Sequence, residues 1–448
     1  MLLDMTEGKP IKLLIPFMLP LLLGNLFQQF YNIADVIIVG RTIGVEALAA
    51  VGAVSPLFFM QVVLTIGMSN GFTVVTGQRY GAGNMDGVRR SIATSIVLSS
   101  VFTLALMFFM AWNMDWLMKL MHVPSILLDD AKSYILVITY GLAAMTGYNL
   151  LSSIMRSLGD SKTPLYFLIL SSLVNILLAL IFILWLGWGV PGSAVALVVA
   201  QALSAILCLG YIYRKFPQLH LQPQDWYMDG AEAWEHLRMG LPMSFQFVVL
   251  GFSIMVLQAV CNQFEPEIIA GFTAAVRVEQ LALQPMLSFG IFMAVYTAQN
   301  FGAKRFDRIR AGVKTCSCLS LVFSGCAMLA LALVGRQIVA VFIENPSTVV
   351  LDAAYTYILY TVPAYFFLSQ VFIYRNVCQG MGVGLIPFFA GCVELVARSW
   401  GALTFTEYWG FRGLCLASPL SWLCCAIFVA SSYWYFVNLL EKKWLTRP

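Results

Sequence analysis

The chain has 448 residues, 60% of them hydrophobic and 11% charged, with a mean hydropathy of +0.83 and a formal net charge of +4. That composition excludes a soluble enzyme with a polar surface, so lipid must be the solvent for most of the chain. The small positive balance is accounted for by membrane topology and calls for no nucleic-acid partner.

Apolar runs of about 20 residues, each able to cross about 30 Å of hydrocarbon as a helix, recur from end to end. In chain order they are 13–40, 46–76, 91–112, 131–155, 164–186, 190–213, 239–262, 268–297, 313–335, 353–374, 385–406 and 413–437. Continuous runs of this length do not resemble the alternating strands of a β-barrel. The fold class is therefore an all-α polytopic membrane protein of twelve transmembrane helices. Lys9 and Lys12 precede the first span, and no small-residue cleavage site follows a short apolar core, so the span reads as a retained helix rather than a signal peptide. With twelve spans, 19 of the 26 Lys and Arg fall on the side of the termini and five on the other, while Arg277 and Arg398 lie inside spans. Basic loops resist translocation, so both termini are expected in the cytoplasm and the protein in a bacterial-type inner membrane.

On the first span Asn25, Gln28, Gln29, Asn32 and Asp35 recur at three- and four-residue steps and form one polar stripe. Such a stripe cannot face lipid. Asp35 lies roughly 33 Å along the helix from Leu13, towards the outer half of the membrane. A carboxylate at that depth must be neutralised, paired or hydrated, which suits a proton carrier. With Asn32 it is equally suited to ligating sodium, because hard cations favour oxygen ligands; a structural hydrogen bond to a neighbouring helix is the plainer alternative. The longest polar connector, 216–238, separates the chain into an N-lobe, 1–215, and a C-lobe, 239–448. In the eighth span Thr273, Arg277, Gln280, Gln284 and Ser288 form a second polar stripe, and Glu279 lies off its centre, so spacing shows no partner for it. Glu394 and Arg398 in the eleventh span stand acid-first at four residues, the favourable order for an ion pair, either locked or switching. Tyr31, Met286 and Phe289, with other Met and aromatic residues, are adaptable surface for a substrate cleft or ordinary packing. Pro20 and Pro285 fall inside spans as hinges or tolerated kinks. The ten cysteines all follow position 207 without CxxC or His spacing and read as packing residues; His122, His220 and His236 lie in loops or at a helix end and make no metal centre.

The two sides of the connector repeat one another. Gln78-Arg-Tyr-Gly-Ala-Gly83 matches Gln299-Asn-Phe-Gly-Ala-Lys304, and at the same shift of 221 residues Glu46 pairs with Glu267, Asp86 with Asp307 and Arg89 with Arg310. Six spans separate the copies, so both halves start on the same side of the membrane and form pseudosymmetric six-helix lobes, a layout suited to alternating access. The run Pro20 to Asp35 and on to Gly52, then Gly77-Gln-Arg-Tyr-Gly-Ala-Gly83 and Arg156-Ser-Leu-Gly-Asp-Ser-Lys-Thr-Pro164, resembles the multidrug and toxic compound extrusion (MATE) family.

The resemblance implies a V-shaped pair of lobes and export driven by inward flow of H+ or Na+. Asp35 matches the acidic position of the family's first helix. Many members place a second Asp on the fifth span four residues after an Asn; here Asn175 is followed at that distance by Ala179, which leaves Asn175 as a cation ligand or an interhelical hydrogen bond. A threonine usual on the sixth span is replaced by Leu197, although Gln201 remains. The expected function is thus a secondary active exporter, acting as a monomer, that moves small organic, cationic or amphipathic molecules out of the cytoplasm in exchange for H+ or Na+. Asp35, Asn32, Asn175, Glu279, Glu394 and Arg398 would serve coupling. Gln28, Tyr31, Gln201, Arg277, Gln280, Gln284, Met286 and Phe289 would line the cleft, and no other cofactor is expected. The rivals are a flippase for a lipid-linked precursor, a dedicated exporter of one secondary metabolite or toxin precursor, and an integral-membrane transferase. A flippase would want a strongly basic cleft and a transferase clustered His, Asp or Arg at one interface. No GxxxxGK[ST] occurs, so ATP is not the expected energy source.

Overall fold

A computed structural model describes residues 3–341 and 347–445, with side chains at all of these except 31–36 and 445. The described residues form α-helices and short tighter or wider turns, with no strand. The helices are α1 Pro10–Thr42, α2 Val45–Gly81, α3 Met85–Trp112, α4 Met114–Leu120, α5 Leu128–Tyr140, α6 Leu142–Ser157, α7 Lys162–Leu180, α8 Gly189–Lys215, α9 Gly230–Cys261, α10 Pro266–Gly302, α11 Phe306–Val341, α12 Thr348–Thr361, α13 Tyr365–Gly380, α14 Leu385–Trp409 and α15 Phe411–Leu445. Eleven stretches are long and apolar enough to cross a membrane, α12 and α13 counting as one, and the bent pair α5 and α6 supplies a twelfth. Exposed aromatic side chains stand at or near helix ends, Trp112, Trp185 and Tyr213 in α3, the end of the α7 span and α8, and Trp409 in α14, as bilayer interfaces favour.

All twelve expected spans are present, but the interruptions differ from those that proline suggested. Helices α1 and α10 continue through Pro20 and Pro285. The fourth span instead bends by 46° at Gly141. A Cβ built there would lie 2.1 Å from Val198 Cγ2, so α8 packs directly on the backbone at the break. A proline does interrupt the tenth span, where the tight turn Val362–Ala364 separates α12 from α13.

The connector 216–238 is also corrected. Helix α9 begins at Gly230, so the last nine residues of that segment are helix. Asp225, 5% exposed, accepts hydrogen bonds from Arg89 Nε at 3.1 Å and from the Gln222 N–H at 2.8 Å, which ties the rest to α3. His236, expected in a loop or at a helix end, is fully buried on α9. Its Nε2 lies 2.8 Å from Ser91 Oγ and its Nδ1 2.9 Å from the Glu232 carbonyl.

The chain divides into two compact units, Met1–Asp4 with Leu19–Ser244, and Met5–Met18 with Phe245–Pro448. In this division the first helix of each half begins in the unit of the other half. In the first unit the start of α9 lies against α2 at backbone distance. A Cβ on Gly71 would stand 2.5 Å from Gly240 Cα, and one on Gly67 2.6 Å from Ser244 Cα. Two small residues four apart on each helix permit this approach, and Ser244 Oγ donates to the Leu64 carbonyl at 2.9 Å. Arg79, at the end of α2, forks onto Glu232 at 2.6 and 3.0 Å and reaches Glu235 at 2.6 Å. In the second unit the repeat-equivalent end of α10 holds the segment before α1. The Met5 N–H donates to Gln299 Oε1 at 3.1 Å and Asn300 Nδ2 donates to the Met5 carbonyl at 2.9 Å. Arg308 donates to the carbonyls of Met5, Glu7 and Gly8.

The repeat is visible in the backbone as well. Gly83, at φ 72°, and Lys304, at φ 59°, close α2 and α10 in the same left-handed conformation. The next N–H in each case returns to the carbonyl five residues back, Asn84 to Arg79 at 3.1 Å and Arg305 to Asn300 at 2.8 Å.

Candidate functional site

In the first unit the polar stripe of α1 can be followed from Asn25, which is half-buried, through Gln28, exposed, to Gln29, half-buried. The side chains of Tyr31, Asn32 and Asp35 lie outside the described residues, although the backbone there is helical. Helix α1 runs alongside α7. A Cβ on Gly24 would sit 3.4 Å from Leu165 Cδ1 and 3.7 Å from Leu168 Cδ2. Further along, Ile38 packs on the cluster of Ala179, Ile183 and Ala196. Residues 31–35 lie between these two contacts along α1, and Asn175 lies between Leu168 and Ala179 along α7.

Asn175 is 1% exposed, and neither its Oδ1 nor its Nδ2 has a hydrogen-bond partner among the described residues. Each unsatisfied buried polar group costs about 1–3 kcal/mol, so an amide left in this state calls for an explanation. No interhelical partner, one of its two expected roles, is found for it among the described residues. Ala179, one turn on, is fully buried in the apolar cluster, so that position carries no carboxylate. The span ends on a widened turn, Ile181–Trp185, whose Leu186 N–H returns to the Ile181 carbonyl at 3.1 Å. Gln201 is half-buried on α8.

In the second unit the stripe of α10 changes character along its length. Thr273, Arg277 and Gln280 are exposed, whereas Gln284 and Ser288 are buried. Gln284 Nε2 donates to the Gln280 carbonyl at 3.0 Å and Ser288 Oγ to the Gln284 carbonyl at 2.9 Å, so the buried end is satisfied by its own helix. Met286 and Phe289, expected on an accessible cleft wall, are 0% and 4% exposed, and Met286 belongs to the core that includes Phe272, Tyr357 and Tyr365. Their apolar side chains complete the packing of the unit.

Glu279 has the partner that spacing along one helix could not show: the Tyr357 hydroxyl of α12 donates to its Oε2 at 3.0 Å. Arg277 makes no ion pair among the described residues, and two positions on one helix point away from each other, so it does not neutralise Glu279. The pair expected from spacing in α14 is formed and buried, with Arg398 Nη2 2.5 Å from Glu394 Oε1. Arg398 Nη1 also donates to Ser253 Oγ of α9 at 2.9 Å, while its Nε has no partner among the described residues. Arg375, one of the 19 bases counted to the side of the termini, is 7% exposed within α13, 4.9 Å from the Phe372 ring. Its nearness in sequence to the end of the span hid it. All ten cysteines are free, and no group of three or more metal-ligating residues occurs among the described residues.

Twelve spanning helices from two related halves, with ionisable groups kept inside the spans, define a polytopic membrane transporter of the duplicated-half class. The chain belongs to the MatE family, whose model matches residues 20–181 and 242–399, one segment in each half. Among its relatives, the "probable multidrug resistance protein YoeA" of Bacillus subtilis is 26% identical, over 96% of this chain and 94% of its own. The "FAD transporter" of Shewanella oneidensis is 22% identical, over 93% of this chain and 92% of its own. A solved structure described as the outward-facing conformation of a multidrug resistance MATE family transporter of the MOP superfamily superposes with a TM-score of 0.91 at 22% identity, covering 98% of both chains, and so shares the fold.

Proposed function

We propose that this protein is a secondary active exporter of small organic molecules, resident in a bacterial inner membrane with both termini cytoplasmic, that exchanges its substrate for H+ or Na+. Asp35, with Asn32 on α1 and Asn175 on α7, forms the coupling site in this reading. The observation that supports it most is Asn175, whose buried amide has no hydrogen-bond partner among the described residues, on a helix that α1 contacts on either side of Asn32 and Asp35. A buried amide oxygen beside a carboxylate is a ligand set for a hard cation, and the same amide is a hydrogen-bond partner for a carboxyl that carries a proton. The coupling ion drives the cycle only if it prefers one arrangement of the protein over the other. The relatives named for multidrug resistance and for FAD support export of organic molecules without choosing between a broad and a dedicated pump.

A second reading places coupling in the other half, supported by the half-buried position of Glu279 and its hydrogen bond from Tyr357. Glu394 is the weaker choice there, because Arg398 already neutralises it. Proteoliposomes loaded with a fluorescent organic ion, with proton and sodium gradients imposed separately, test both. Efflux that follows one gradient and is abolished in Asp35→Asn and Asn175→Ala supports the first reading. Loss in Glu279→Gln alone moves coupling to the second half, and efflux indifferent to both gradients refutes antiport.

A further inference from the structure

The exporter reading leaves open what kind of molecule is carried, and the exposed part of the α10 stripe bears on that. Arg277 lies eleven residues beyond Pro266, roughly 17 Å along the helix, and its side chain is exposed. No carboxylate lies within ion-pair distance of it among the described residues. Arg398, by contrast, is buried and paired. Helix termini do not account for Arg277 either, because their field falls off within the first or last turn. An unpaired guanidinium inside a spanning helix is too costly to face hydrocarbon, so it faces water or a ligand. Glu279, the nearest acid along the helix, is engaged by Tyr357.

The polar neighbours of Arg277 on its own face are uncharged, beside the exposed Leu281. Thr273 lies one turn before it and Gln280 one turn after, both exposed. A guanidinium flanked by neutral polar groups presents a fork of donors matched to the paired oxygens of a carboxylate or phosphate. An organic cation would meet like charge there. We propose that Arg277, supported by Gln280, anchors an anionic group of the exported molecule, so that the substrate is an organic anion or zwitterion rather than a simple cation. This deepens the exporter reading and rests on it.

Two dyes with the same xanthene ring system and opposite charge, carboxyfluorescein and rhodamine 123, test the assignment by binding to the full-length protein in lipid-free detergent and by efflux from proteoliposomes. Arg277→Gln should weaken carboxyfluorescein binding about tenfold or more, as expected for loss of one charge-assisted pair. Arg277→Lys should restore part of it, and rhodamine 123 binding should be unchanged or tighter. A wild-type protein that binds and exports rhodamine 123 but not carboxyfluorescein overturns the proposal while leaving the exporter reading intact, and so does equal weakening of both dyes. Arg277-dependent binding of carboxyfluorescein without efflux of either dye keeps the anion site and removes the exporter reading. Displacement of carboxyfluorescein by added phosphatidylglycerol assigns Arg277 to a lipid headgroup and overturns the substrate assignment. The elution profile of each variant on size exclusion separates loss of binding from loss of fold.

Discussion

Gly71→Ala adds one methyl group where two helices touch through their backbones. The new Cβ would lie 2.5 Å from Gly240 Cα and 2.7 Å from its nitrogen. Carbon atoms rest at about 3.5–4.0 Å, so α9 must retreat from α2 by about 1 Å. Neither neighbour is the mobile end of a side chain, so the strain cannot be relieved by a rotamer change. Overpacking of this kind costs about 1–3 kcal/mol. The same retreat stretches the bond from Ser244 Oγ to the Leu64 carbonyl and the contact between His236 and Ser91, each worth about 0.5–1.5 kcal/mol. The expected total is about 2–6 kcal/mol, or about 5–20 °C in melting temperature on the scale of 200-residue domains. Gly52→Ala is the matched control, because it also lies within α2 but a Cβ there has no atom within 4 Å; it should be neutral or slightly stabilising. Melting followed by intrinsic fluorescence in detergent reads both. If Gly71→Ala and Gly52→Ala melt within about 2 °C of each other, the backbone contact does not carry the attachment of α9.

Two further outcomes follow from geometry. Gly83→Ala should cost about 1 kcal/mol through its left-handed backbone alone, since the space around it is open. At the equivalent position Lys304→Gly should be nearly neutral, because relief of the same strain is offset by loss of the ammonium seated 4.6 Å over the Trp444 ring; in a Trp444→Leu background it should become stabilising, by about 0.5–1 kcal/mol, and denaturation of the four variants reads the difference. Outside the spans, the hydrogen bond and charge of Lys132 hold the Asp115 carboxyl below the usual carboxylate range. A lowered carboxylate contributes above its unfolded pKa and loses that contribution as pH falls through the folded value. Protection factors of amides in residues 113–132, each rate taken against the intrinsic rate at the same pH, should therefore be constant around neutrality and fall only in strong acid, and Lys132→Ala should remove the acid-induced step.

The spans were legible because twenty consecutive apolar residues leave a chain few choices in lipid, and the repeat was legible because both copies keep one register. The interruptions were not. Gly141 breaks the fourth span because Val198 occupies the space its Cβ would need, and that neighbour lies 57 residues away in sequence. Within the candidate site, Glu394 and Arg398 could be paired on paper because they share a helix face, whereas Tyr357 reaches Glu279 from another helix and leaves no trace in spacing. Arg375 shows the limit of counting charges by loop, since a base five residues from a helix end can point inward. Composition left Met286 and Phe289 open between cleft wall and packing, because a core and a promiscuous cleft draw on the same side chains.

The residues Met5 to Met18 acquire their partners late. Gln299, Asn300 and Arg308, which hold this segment by its backbone, are translated some 290 residues after it, a delay of about 15–60 s at ordinary ribosome speeds. During that time the start of α1 must be kept waiting by the insertion machinery or by the lipid surface, while the start of α9 meets α2 and α3 as soon as it emerges. Assembly is thus ordered in time: the first unit can close as soon as Ser244 is made, and the second must recruit Met5–Met18, made long before, once Gln299 to Arg308 have followed. A nascent chain stopped short of Gln299 would leave the Met5 backbone without these partners, and elongation past Arg308 would supply them.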